Sequence, residues 1–183
     1  MSMVMDCPRC WGKKKDCTLC KGAGKMPDRQ LSPHFKLSEL IDTPTGRGKG
    51  LANDPTPEIE ANLELLAKNL LEPLRELCGP LKINSGYRSD AVNKAVGGST
   101  TSAHSYGLAA DLNPLKMSWK ELMDAAIASG IKFDQLIFEH TWVHAGFLNP
   151  KDKKQRGQKL TMFKGADGKM TYETYNPNDP RIK

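Results

Sequence analysis

Ser102-Ala103-His104-Ser105-Tyr106-Gly107-Leu108-Ala109-Ala110-Asp111 is the stretch around which the rest of the chain is arranged. It sets a histidine and an aspartate seven positions apart, with Gly107 and small residues between them. Imidazole and carboxylate are ligand types of a catalytic zinc site, which takes three protein ligands and leaves one position open. The third candidate is the histidine of Trp142-Val143-His144, inside a run that reads as a strand. Spacing alone describes a turn histidine and a capping aspartate just as well. The flanking sequence has to decide.

Upstream, Leu81-Lys82-Ile83-Asn84-Ser85 reads as a strand that leads into a Gly86-Tyr87-Arg88-Ser89 turn. Downstream, Phe133 to Glu139 and Trp142 to Phe147 read as two strands separated by His140-Thr141. On a two-residue hairpin Glu139 faces Trp142 and Ile137 faces His144. Side chains on one face of a strand repeat every second residue, so Glu139 and His144 share a face. Val143, Ala145 and Phe147 then point into the core.

Together, Ser-x-His-x-x-Gly-x-Ala-x-Asp, Ile83 to Ser89 before it, and Phe133 to Ile137 with Trp142-Val143-His144 after it resemble the zinc D-Ala-D-Ala carboxypeptidase family. These metallopeptidases cut peptidoglycan stem peptides, and many are phage endolysins. The resemblance extends from about Leu31 to about Tyr175 and rests on several motifs in the same order. It implies that His104, Asp111 and His144 hold a catalytic zinc. It also implies that Arg88 contacts a substrate carboxylate or carbonyl, with Ser102 adding a hydrogen bond beside it. A guanidinium suits that role because it binds a carboxylate through two parallel hydrogen bonds. Glu139 is the candidate general base. Several relatives place the acid three residues before the last histidine, where this chain has Thr141. Relatives with a Gln-Leu-Ile-x-Glu strand carry it further back, as in Gln135 to Glu139 here. His140 is the second candidate for that proton. Asn93 and Gly97-Gly98 are expected to shape the loop that delivers His104. Leu31 to Leu40 resembles the family's entry segment, an aromatic anchor before a short helix, with His34 a surface or packing residue.

At the N-terminus, Cys7-Pro8-Arg9-Cys10 and Cys17-Thr18-Leu19-Cys20 hold four of the five cysteines. Two Cys-x-x-Cys turns can grip one metal ion in a closed tetrahedral site; the alternative is a pair of disulfides. The first residues lack a basic region followed by an apolar core, so they do not read as a signal peptide. A chain without export sits in a reducing compartment, which favours zinc. Cys17 to Gly24 resembles half of the cysteine-rich repeat of DnaJ-type chaperones, while the first pair has Lys14 where the second glycine should stand. Chaperone function is not implied. Lys13, Lys14, Lys15, Lys21 and Lys25 make the module basic, and a metal would supply much of its folding energy.

Between these regions, Met26 to Gln30 reads as a linker and Thr43 to Pro57 as a loop rich in Gly, Pro and Thr. Thr56 caps a helix with Pro57 in its first turn, and Ile59, Leu63, Leu66, Leu70, Leu74 and Leu77 form its apolar stripe. Pro73 should kink that helix or end its regular part. Cys78 reads as a small buried hydrophobe. Ser118 to Glu121 opens a second helix with a capping box, and Gly130 closes it. Pro150 to Lys159 reads as a solvated basic loop. Leu160 to Phe163 and Lys169 to Tyr172 read as a β-hairpin, and fraying is expected after Asn176.

With 183 residues the chain suits one main domain and a small appendage. The expected fold class is α+β: a small antiparallel sheet carries the zinc site, helices pack on it, and a zinc ribbon-like module precedes it. The expected division is residues 1–26 for the four-cysteine module and 27–183 for the peptidase domain. A net charge of +6 favours an anionic partner such as nucleic acid, membrane surface or wall polymer. No stretch approaches the ~20 apolar residues of a membrane span, and Trp11 alone offers a ring for base stacking in the basic module, which argues against nucleic acid. The expected function is a zinc peptidase of peptidoglycan, either a carboxypeptidase or an endopeptidase, with one catalytic and one structural zinc. Such a protein is made in the cytoplasm and acts on the wall after release, or is carried in a virion. The competing reading is a non-catalytic protein whose cysteine module holds nucleic acid or a virion partner over a vestigial pocket.

Overall fold

In the computed structural model, which describes residues 3–182, helices pack on one face of a six-stranded sheet and a two-stranded ribbon stands at the N-terminal end. In the ribbon, β1 (Val4–Asp6) pairs antiparallel with β2 (Lys25–Pro27), Met5 opposite Met26. Part of the expected linker is therefore a strand, and the boundary expected at residue 26 falls inside it. The cysteine turns bring the two chain ends side by side, which lets even three-residue strands pair.

Two short helices follow. In α1 (Leu37–Ile41) the buried Leu37, Leu40 and Ile41 sit behind Phe35, the expected aromatic anchor. Next comes α2 (Pro44–Lys49), inside the segment expected to be a loop. Thr43 accepts a hydrogen bond from the Gly46 amide, Pro44 occupies the first turn, and Gly50 ends the helix in the left-handed region at φ 66°. Good caps at both ends outweigh the two glycines between them.

From Thr56, α3 (Pro57–Leu66) runs into a π-helical turn (Ala67–Leu71) and then α4 (Glu72–Cys78). Pro73 has no N–H, and its ring clashes with the carbonyl four residues back. The π turn absorbs this, with the Glu72 amide reaching back to the Ala67 carbonyl. The wider turn also advances the helical phase by about one residue. Leu63, Leu66, Leu70 and Leu74 are buried as expected, but the next inward position goes to Cys78, while Leu77 is 41% exposed.

The large sheet is built from β3 (Leu81–Ser85), β4 (Ala109–Pro114), β5 (Gln135–Phe138), β6 (Val143–Gly146), β7 (Gln158–Lys164) and β8 (Met170–Thr174), in the order β3-β4-β6-β5-β7-β8. Between β3 and β4 lie α5 (Asp90–Ala95) and a 3-10 turn (Ala103–Tyr106). Between β4 and β5 lies α6 (Trp119–Ala128), opened by the Ser118/Glu121 capping box. The sheet is mixed rather than antiparallel, because β5 and β7 run parallel. Parallel neighbours need a crossover, and the basic run after Pro150 supplies it. Buried Asp134 anchors its end: Arg156 donates from its backbone amide, Nε and Nη2 to that carboxylate, and the Gln158 amide bonds the Asp134 carbonyl.

Alternation then separates core from cleft. Ala110, Leu112, Leu136, Phe138, Val143 and Ala145 face the helices in one apolar cluster, and their odd- and even-numbered neighbours face the other way. Tyr175 donates its hydroxyl hydrogen to Asp124 of α6 at 2.9 Å, and beyond Asn176, where fraying is expected, Ile182 joins the core instead. Among the described residues no helix is long and apolar enough to cross a membrane.

Candidate metal centre and substrate cleft

Asp111 on β4 and His144 on β6 are direct partners across the ladder, and Ile137 on β5 pairs with His144 in turn. That is the pairing expected from the hairpin. His104 arrives from the 3-10 turn, held by a loop that Asn93 shapes: its Nδ2 donates to the Ser99 carbonyl at 2.8 Å, and its carbonyl accepts from the Gly98 amide. The His104 ring Nδ1 lies 2.7 Å from the Gly86 carbonyl, so Nδ1 carries the proton and Nε2 is left free as a ligand. Gly86 can be nothing larger, since a Cβ there would lie 2.3 Å from the Leu40 carbonyl oxygen.

His104 Nε2 lies 3.1 Å from His144 Nδ1 and 3.2 Å from Asp111 Oδ1, and His144 Nδ1 is also 3.2 Å from that oxygen. Three ligand atoms thus form a nearly equilateral triangle. Tetrahedral zinc with bonds of ~2.0–2.1 Å sets such edges at ~3.3 Å. Two ring nitrogens turned on each other and on one carboxylate oxygen suit a shared cation, and the donor set fits zinc.

Electrostatics agree with this. Burial drives His104 below its ordinary pKa, toward the neutral form a metal ligand needs. Burial would raise Asp111, but the two histidines outweigh it and hold the carboxyl well below the usual carboxylate range. Glu139 is pushed up to about 7, first by burial and then by the Asp111 charge, with His144 and Arg88 opposing.

Arg88, Ser102, Glu139, Trp142, Tyr106 and Tyr172 line one cleft of about 1060 Å³ together with the metal ligands. The Arg88 side chain is 16% exposed, and its Nη2 stands 3.8 Å from Asp111 Oδ2. Its buried Nε has no hydrogen-bond partner among the described residues, and neither has Trp142 Nε1. A buried donor without a partner in a cleft beside a metal site is suited to a polar substrate. His140 is elsewhere. Its backbone is left-handed at φ 62°, its Nε2 lies 2.9 Å from the Met162 carbonyl, and its ring packs on Phe138 and Phe163. His34 pairs with Glu72 on α4, away from the cleft.

Tyr172 and Met162 are cleft residues that the sequence reading missed. They are direct partners on β7 and β8, on the face that carries Glu139. Their hairpin was legible, but its parallel docking beside β5 was not, because the contacts that fix it come from Asp134 and Arg156.

The second cluster is the four cysteines, all buried and all free thiols. Cys7 Sγ is 3.8 Å from Cys17 Sγ, and Cys10 Sγ is 3.7 Å from Cys20 Sγ. Tetrahedral zinc with bonds of ~2.3 Å gives edges of ~3.8 Å. The two turns repeat each other down to the backbone, with Trp11 and Lys21 both left-handed at φ 52° and 51°. The amides of Cys20 and Leu19 draw the Cys17 thiol below its ordinary pKa, while burial pushes Cys7 up.

The sequence profile of peptidase M15 matches residues 33–146, more than half of the chain, and that span contains all three of His104, Asp111 and His144. The chain belongs to the peptidase M15 family. Peptidase M15 enzymes are zinc metallopeptidases of the D-Ala-D-Ala carboxypeptidase kind, and the donor triangle inside the matched span could hold such a metal. No curated protein matches the chain closely enough to count as a relative. The four-cysteine module and the β7–β8 hairpin both lie outside the span matched to peptidase M15.

Proposed function

We propose that this peptidase hydrolyses the stem peptides of peptidoglycan, with His104, Asp111 and His144 holding the catalytic zinc, Glu139 as general base and Arg88 as the substrate's carboxylate or carbonyl anchor. The observation that carries the reading is the convergence of a zinc-sized His/Asp/His triangle with a raised-pKa glutamate and a buried, underpartnered arginine in one cleft. A zinc ion held by that triangle would supply Lewis acidity and would lower the pKa of a water to about 7. Glu139 takes the proton of the attacking water on its carboxylate and returns it to the leaving amine. A carboxyl pKa near neutrality suits both halves of that transfer. Arg88, beside the metal ligands, orients the peptide, and Ser102 adds a hydrogen bond next to it.

The wider role proposed is that of a phage-type lysin, either released at lysis or carried in a virion. The basic charge supports it, since +6 favours contact with an anionic wall. Incubating the protein with purified muropeptides and identifying the fragments by mass tests the activity and names the bond. New fragments that require His144 and Glu139 are the expected result. Intact muropeptides after incubation with zinc-loaded protein would refute the reading.

A further inference from the structure

The four-cysteine module meets the peptidase domain at α2, where Arg47 bonds Asp6 and Lys13 bonds the Arg47 carbonyl, and at residues 51–54, which form the back of the arginine turn. We propose that the module positions Arg88 through Asn53 and thereby sets how tightly the cleft holds its substrate; this rests on the reading of Arg88 as the substrate anchor.

Asn53 is fully buried and uses its whole amide. Its Nδ2 donates to the carbonyls of Ile41 at 2.8 Å and Tyr87 at 3.0 Å, and its Oδ1 accepts from the Ser89 amide at 2.7 Å. Tyr87 and Ser89 flank Arg88, so one side chain grips the backbone on both sides of the arginine. The Ser89 hydroxyl adds a bond to the Ala52 carbonyl at 2.7 Å. Backbone anchoring matters here because the guanidinium itself has little to hold it: an ion pair to Asp111 at 3.8 Å and an Nε without a partner.

The other side of the same segment belongs to the module. The Asn53 amide donates to the carbonyl of Pro8 at 2.8 Å, inside the first cysteine turn. Trp11 Nε1 donates to the Leu51 carbonyl at 2.8 Å, and Arg9 Nε donates to Asp54 at 3.2 Å. Residues 51–54 are therefore clamped between a cross-linked turn and the residues that carry Arg88. Pro8 and Trp11 bracket Cys10, so closing the cysteine site fixes the atoms that hold the clamp. Asn53 is a positioning residue, and the module is its support.

The test uses the full-length protein with Arg9→Ala and Trp11→Phe together, which removes an ion pair and a hydrogen bond but keeps the aromatic ring. Arg9→Lys with wild-type Trp11 is the conservative control. Amide hydrogen exchange, zinc content and stem-peptide kinetics are read in each. In the double variant the Ser89 amide should exchange about tenfold faster, with β4 and β6 unchanged and the zinc content kept. KM should rise about tenfold while kcat moves less than twofold, and the lysine variant should restore both. Unmoved exchange at residues 87–89 with unmoved KM would overturn the proposal. So would exchange that rises evenly across the sheet, which would make the module a general brace. Exchange does not depend on turnover, so a wild-type protein that cuts no stem peptide defeats the peptidase reading while the exchange data still decide this one.

Discussion

A carboxyl group that takes a proton from water must be ionised, and Glu139 sits where ionisation is hardest, at about 7 against an ordinary 4.5. In the metal-free protein its neutral form fits the fold better than its anion. Destabilisation therefore sets in as pH rises through 4.5 and is complete above about 7. Glu139→Gln should raise the melting temperature of chelator-treated protein at pH 8 far more than at pH 5. Equal shifts at both pH values would show that charge is not the cause. In the loaded enzyme a nearby cation lowers this pKa, so the acid limb of kcat/KM should lie at or below about 7. Glu139→Gln should keep its zinc yet lose ~100- to 10,000-fold in turnover, the usual contribution of a general acid–base group. His140→Ala should stay active, because that ring serves the Met162 carbonyl and not the cleft. Arg88→Ala should raise KM and leave the zinc content unchanged; loss of zinc would make it a structural residue.

Among the elements, the interrupted helix from Pro57 to Cys78 shows how a local rule propagates. Pro73 forces a π turn at Ala67–Leu71, and the turn rotates everything after it, so the inward position passes from Leu77 to Cys78. Leu74→Ala should then cost about 2–5 kcal/mol in urea unfolding, as fully buried leucines do. Leu77→Lys should cost less than about 0.5 kcal/mol, as an exposed change does. A large loss at Leu77 would contradict the phase. The proline marked this break in the sequence, but the size of the phase shift could not be read, because a kink, a stop and a π turn all relieve the same clash. The helix at Pro44–Lys49 was legible in principle: Thr43-Pro44 repeats the capping pattern of Thr56-Pro57, and its glycines masked it.

At the scale of the whole molecule, the ligand triangle was readable because its parts lie in short motifs, two of them on neighbouring strands with Asp111 opposite His144 and the third, His104, on the turn just before β4. The parallel placement of β7 beside β5 was not, since it depends on a buried aspartate meeting an arginine from a run that reads as solvated. Nor was the contact between the cysteine turns and residues 51–54, which local patterns cannot announce. Among the described residues there are two clusters of different kinds, a closed set of four thiols and an open set of three ligands beside a cleft. Metal analysis should find about two zinc ions per chain in the wild type and about one in Cys17→Ser with Cys20→Ser; two in that variant would refute the thiol site. The most direct test strips the wild-type protein with a chelator and returns zinc stepwise while following new amino groups released from muropeptides. Hydrolysis should be absent in the stripped protein, return as the His104/Asp111/His144 site fills, and stay absent in His144→Ala at any zinc concentration. Full hydrolysis by the stripped protein or by His144→Ala would contradict the account.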